Sequence, residues 1–163
     1  IIWLPRLFNM LSLLTEDGSD LKDTEARVKA IFILQRLVTD EPQEYKEQEL
    51  AFNRILTGCP FQVPLPKTLK LADYEIMTIE SMIIGIKNNC EKFKNISAKG
   101  FQLNFIERPG RLEQREDKWV LYVEGRSYDM LLDFLPWSYR LVQLPWLEKR
   151  INVVWRDKGE FDF

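Results

Sequence analysis

The chain is predicted to be α+β. A helical part of about five helices covers residues 1–107, and a small antiparallel β-sheet with a short inserted helix covers residues 108–155. Two observations predict this. Apolar residues recur at steps of three and four as far as Phe105. Beyond Pro109-Gly110 the period changes to two. Helices come first and strands second, which is the pattern of an α+β body. At 163 residues the two parts form one domain, the β-rich part packed on the helices, followed by a charged tail at 156–163.

The elements follow in order. Leu4, Leu7, Phe8, Leu11 and Leu14 share one helical face. Residues 15–23 are a polar, glycine-containing loop. Asp23 or Thr24 then caps a second helix, whose wide apolar face is Ala26, Ala30, Ile31, Ile33, Leu34, Leu37 and Val38, with Pro42 after its end. A more charged third helix is predicted over 43–57, closed by Gly58. Residues 59–71 carry three prolines, at 60, 64 and 66, and read as an extended connector. Asp73 starts the best-defined helix, in which Ile76, Ile79, Ile83, Ile86 and Cys90 form a seam suited to another helix of the same chain or to a second chain. A fifth helix near 96–107 places Phe101 and Phe105 four apart. Residues 111–115 and 119–123 are predicted to form a hairpin with Trp119, Leu121 and Val123 on one face. Residues 127–135 form a brief helix.

The Leu-Pro-Trp triplet then occurs twice, at 135–137 and 144–146. Proline fixes φ and removes a backbone donor, so it is confined to strand starts, edges and bends. Each triplet is therefore a corner that delivers a tryptophan to a fixed place. A short β run follows each corner, at 139–144 and 151–155, the second with Ile151, Val153 and Trp155 on one side.

Composition excludes several functions. The chain has no histidine, so Ser-His-Asp and Cys-His catalysis and every histidine-containing zinc site are impossible within it. Cys59 and Cys90 lie far apart and read as reduced, buried thiols, consistent with cytoplasmic synthesis. A net charge of −2 with mixed signs gives no footprint for nucleic acid and no polybasic membrane patch. The apolar start is too short to span a bilayer and contains Pro5 and Arg6. Opening on Ile1 inside an apolar segment, it reads as the end of a longer polypeptide.

Catalytic and cofactor signatures are missing. No glycine-rich phosphate loop, metal-ligand spacing or cofactor motif is present. Asp129 and Asp133 lie four apart and could serve acid–base chemistry as in glycoside hydrolysis, but they read better as solvated helix-face charges. Trp119, Trp137, Tyr139, Trp146 and Trp155 could line a platform for a carbohydrate, fill a thin core, or anchor a protein interface. A non-catalytic binding or assembly protein is expected, not an enzyme.

The ordered series Phe105-Ile106-Glu107-Arg108-Pro109-Gly110, Trp119-Val120-Leu121-Tyr122-Val123-Glu124 and Tyr128-Asp129-Met130-Leu131-Leu132 is distinctive. With both Leu-Pro-Trp triplets and Val153-Val154-Trp155, it resembles the C-terminal region of the tape measure proteins of contractile injection systems, phage-tail-like particles. Trp3-Leu4-Pro5-Arg6-Leu7-Phe8, Ile55-Leu56-Thr57-Gly58-Cys59-Pro60 and Leu65-Pro66 look like the family's upstream blocks. The departures are Pro109, where an acidic residue is expected before the glycine, and a longer tail after Trp155.

The resemblance implies a structural role: setting inner-tube length during assembly, lying in the tube lumen, and engaging the baseplate hub or spike. Full-length members are longer, so a preceding portion would be the ruler and this segment the anchor, in several copies. The partner-binding residues implied are Trp137, Tyr139, Trp146 and Trp155, with Phe161 and Phe163 of the tail as outside candidates.

Overall fold

The computed structural model describes residues 2–40 and 43–156. Ile1, Pro42 and the tail phenylalanines Phe161 and Phe163 lie outside the described residues. The first helix, α1, is Leu4–Met10, with Pro5 in its first turn, where a missing N–H costs nothing. It stops short of the predicted Leu14. Ser12 takes φ 56°, a left-handed conformation that reverses the chain, and Leu13 and Leu14 turn back into the core. Leu14 then pairs with Leu21 across the polar loop.

The second helix, α2, is Thr24–Val38. The Asp23 carboxylate accepts from the Ala26 amide at 2.7 Å, so Asp23 and not Thr24 is the cap, worth about 1 kcal/mol. Two sides of α2 are buried. Ala30, Ile33 and Leu34 enter the main core, while Ile31 and Phe32 face a smaller cluster with Leu50 and Cys59.

The third helix is shorter than predicted: a 3-10 turn Glu47–Leu50 runs into α3, Ala51–Leu56. The predicted first turn is taken up elsewhere, because the Tyr45 amide donates to the Lys67 carbonyl of the connector at 2.8 Å. Within α3 two polar residues are buried and held by long-range bonds. Asn53 donates to the Ile31 carbonyl at 3.3 Å and to Gln35 at 2.9 Å. Arg54 donates to the Pro60 and Val63 carbonyls at 2.7 and 2.9 Å, which fixes the proline-rich connector. Gly58 closes the segment at φ 61°, a conformation costly for any side chain.

Helix α4, Asp73–Asn88, is where the isoleucine seam lies. Ile79 and Ile83 are buried, and Ile76 and Ile86 pack on the same core, so the seam is filled from within the chain. A 3-10 turn Glu91–Phe93 follows, then α5, Ala98–Phe101, which widens into a π turn over Gln102–Ile106. Phe93, Phe101 and Phe105 pack together at centroid distances of 4.8–5.5 Å. Buried Gln102 donates to the Leu37 carbonyl at 2.9 Å, closing the end of α2.

Four strands make one sheet: β1 Gly110–Gln114, β2 Lys118–Glu124, β3 Leu141–Val142 and β4 Arg150–Arg156, in the order β1-β2-β4-β3. The predicted hairpin is β1/β2, and β3/β4 is also antiparallel. The central pair β2/β4 is parallel, so the sheet is mixed and the antiparallel expectation is corrected. A parallel pair needs a crossover of a dozen or more residues. Residues 125–149 supply it, through a 3-10 helix Asp129–Phe134 and the two proline corners. The register sets Trp119 beside Ile151, Leu121 beside Val153 and Val123 beside Trp155, all facing the helices.

Glu75 is a buried carboxylate of the helical layer. Its carboxylate takes Lys29 Nζ at 2.7 Å and the Ala72 amide at 2.8 Å. Burial alone would raise its pKa, but the Lys29 bond, the Ala72 amide and the Lys29 charge outweigh it and hold the group below its usual 4.5. The same bond raises Lys29. A depressed carboxyl stabilises the fold above its unfolded pKa and loses that contribution as pH falls through the folded value. Glu75→Gln should therefore cost about 1–3 kcal/mol at neutral pH. That cost should shrink as the solution is acidified well below pH 4.5; urea titrations across pH measure it.

Candidate docking face at the two proline corners

The first corner follows the 3-10 helix, where Leu135 is already extended. Pro136 is exposed and Trp137 is half-buried. The Trp137 ring meets Trp3 edge-to-face at 5.6 Å. The second corner is a tight turn in which the Leu147 amide donates to the Leu144 carbonyl at 3.0 Å. Leu144 is buried, Pro145 is exposed and Trp146 is half-buried. Trp146 packs on Phe8 at 5.7 Å, and its indole N–H donates to the Leu56 carbonyl at 2.9 Å. One side chain thus ties the second corner to α1 and to the end of α3.

Tyr139 and Trp155 form a second edge-to-face pair at 5.8 Å. The Tyr139 hydroxyl donates to Asp133 at 2.6 Å, and that bond, with partial burial, raises the phenol pKa. Among the four predicted site residues, the structure therefore pairs Tyr139 with Trp155, sets Trp137 on Trp3, and places Trp146 apart on Phe8. The two edge-to-face pairs, at interplanar angles of 83° and 70°, make no coplanar platform. What the corner segment turns outward is different: Met130, Phe134 and Leu141 are exposed, along with both prolines. Lys92 lies 4.9 Å over the Phe134 ring.

Arg108 and Trp3 are structural members of this region that residue patterns alone did not single out, and Asp129 joins them in a role the patterns did not show. The Arg108 side chain is only 4% exposed. It donates to the Asn104 carbonyl at 2.7 Å, the Glu124 carbonyl at 2.9 Å and, as a fork, the Asp129 carboxylate. Asp129 also accepts from the Arg126 amide at 2.7 Å. The guanidinium lies over Tyr128 at 5.5 Å and Trp155 at 5.4 Å. Asp129 is thus no solvated helix-face charge, and that expectation is corrected for it; Asp133 is exposed as expected and accepts from the Tyr139 hydroxyl. Arg108 and Asp129 each stand inside a block of the ordered series, but nothing in the sequence pairs one with the other.

Among the described residues no cluster of His, Cys, Asp or Glu could hold a metal ion. Cys59 and Cys90 are free and buried, and burial pushes the Cys59 thiol up. A cleft of about 440 Å³ opens between α2, α4 and α5, lined by Arg36, Asp40, Glu80, Ile84, Lys99 and Gln102. Its charges neutralise one another, with Asp40 bound to Arg36 at 2.9 Å and to Lys99 at 2.6 Å.

The fold is a helical layer carrying a small sheet, with its aromatic and ionic side chains engaged in internal struts. The chain belongs to the contractile injection system tape measure protein family, whose model matches residues 2–155. No curated protein and no solved structure matches it.

Two variants test the struts by chemical denaturation. Trp146→Ala should cost about 3–5 kcal/mol, whereas Trp146→Phe keeps most of the packing, loses the Leu56 bond and should cost about 1–2 kcal/mol. Asp129→Ala, which leaves a buried guanidinium without its carboxylate, should cost about 3–5 kcal/mol.

Proposed function

We propose that this segment is the seat of the tape measure protein and not its ruler. It docks at the end of the inner tube or in the cavity of the baseplate hub, against hub, spike and tube proteins of the same particle, in several copies. It performs no catalysis. The observation that carries the reading is geometric. The longest described helix, α4, has 16 residues, about 24 Å at 1.5 Å per residue. A compact chain of this length is on the order of 40 Å across, so it spans little tube length for its mass. A seat needs the reverse: a rigid body with fixed outward groups.

The docking face is the corner segment, with Trp137, Tyr139, Trp146 and Trp155 holding its shape and presenting their open edges. Met130, Phe134 and Leu141 supply exposed apolar area beside them. No described helix is long and apolar enough to cross a membrane. The site of action is the particle, with assembly in the cytoplasm and residence in the tube lumen or hub.

Two measurements bear on this. Deletions inside this segment should abolish particle assembly in electron micrographs. Shortened but otherwise normal tubes would refute the division of labour. Trp137→Ala and Tyr139→Ala should leave a folded protein that captures purified hub or spike at least about tenfold more weakly. Unfolding instead would assign those rings to the core, and unchanged capture would move the docking face elsewhere.

A further inference from the structure

The two edges of the sheet are built differently. At one edge β3 has two residues, Leu141 and Val142, closed in by the corners at Pro136 and Pro145. Such an edge is too short to template another strand. At the other edge β1 has five residues, Gly110–Gln114, and Pro109 stands only before its start.

The orientation of β1 follows from its ladder. The Arg115 amide donates to Lys118 at 2.8 Å and the Glu124 amide to Pro109 at 3.0 Å, at the two ends of the β1/β2 pair. Odd-numbered residues therefore bond inward to β2, and Gly110, Leu112 and Gln114 turn both N–H and C=O outward. Among the described residues no hydrogen bond reaches those outward groups. On the sheet face turned away from the helices, the strand carries Arg111 and Glu113. Both are partly exposed, and Glu113 already accepts Arg111 at 3.0 Å and Arg115 at 3.3 Å.

We propose that β1 pairs with β1 of a second copy of this chain, antiparallel about a two-fold axis at Leu112. In that register Leu112 faces its own copy and Gly110 faces Gln114. All outward groups then meet outward groups, giving about six hydrogen bonds. Arg111 falls opposite Glu113 of the second copy, and Glu113 opposite its Arg111, at non-hydrogen-bonded positions where cross-strand side chains come closest. Centring the pair on Arg111 or on Glu113 instead sets each of those charges against itself. Charge complementarity thus selects both the occupant and the register. The result is a continuous eight-stranded sheet, β3-β4-β2-β1 joined to its mirror order. The inference is independent of the docking role proposed above.

Light scattering on the purified chain tests it. The wild-type protein should run at twice 19.4 kDa. Arg111→Glu and Glu113→Arg should each raise the dimer dissociation constant about tenfold or more, by opposing like charges twice per dimer. The double variant Arg111→Glu/Glu113→Arg should dimerise again, as should an equimolar mixture of the two single variants. Gln114→Pro removes an outward amide that the monomer does not use. It should give a monomer with an unchanged circular dichroism spectrum. A wild-type chain that stays monomeric at every concentration overturns the proposal, and so does a dimer indifferent to both charge reversals.

Discussion

The position of the sheet on the helices depends on the Arg108 guanidinium. It stands two residues before the strands begin, and it binds both parts at once: the Asn104 carbonyl in the π turn, the Glu124 carbonyl at the end of β2, and Asp129 in the crossover. Tyr128 and Trp155 lie against it. A buried cation is tolerated only where its donors are matched by well-placed acceptors, because desolvation otherwise outweighs the Coulomb attraction. Here the fork-shaped carboxylate, two carbonyls and two aromatic faces meet that requirement. The same constraint fixes where Trp155, and hence β4, must lie. A lysine could carry the charge but could not bind the carboxylate as a fork while donating to both carbonyls.

Given that constraint, the tryptophans take their places as struts. Trp146 reaches from the second corner to the Leu56 carbonyl and the Phe8 ring, Trp137 leans on Trp3, and Trp155 on Tyr139. Each ring is partly solvent-exposed and yet held from inside. An assembly protein benefits from this arrangement, since a surface whose side chains are already immobilised loses less conformational entropy on docking. Core and contact are therefore not exclusive roles for these residues: one edge of a ring packs inward while the other remains available.

Much of the helical layer was legible because burial repeats. Ala30, Ile33 and Leu34 in α2, and Ile79 and Ile83 in α4, are buried at the spacing their helices impose. What was illegible depends on partners distant in the chain. The third helix starts late because the Tyr45 amide is bound to the Lys67 carbonyl, and Asn53 and Arg54 reach Ile31, Pro60 and Val63, none of which local propensity encodes. Ser12 at positive φ gave no glycine signal. Asp129 reads as a surface charge from its own neighbours, and its partner lies 21 positions away. Period two told which residues of β2 and β4 share a face, but alternation is identical for parallel and antiparallel neighbours, so strand direction stayed hidden.

The parallel pair gives the proline corners a second meaning. A crossover between neighbouring parallel strands must climb back along the full strand length, and an α-helix is the usual means. Residues 125–149 do so with only a 3-10 helix, so the return path has to be folded by bends. The corners at Pro136 and Pro145 supply those bends, and the chain between them adds β3 as it passes. The first corner ends the 3-10 helix, since the residue before a proline is pushed to extended geometry, as Leu135 is at ψ 134°. The second turns the chain so that Arg150 arrives beside Lys118 and not beside Glu124. Moving either bend by one residue would shift every later side chain of β4 to the opposite face, carrying Trp155 away from Arg108. The doubled Leu-Pro-Trp triplet and the buried guanidinium are thus one device: the corners deliver the strand, and the cation holds it once delivered.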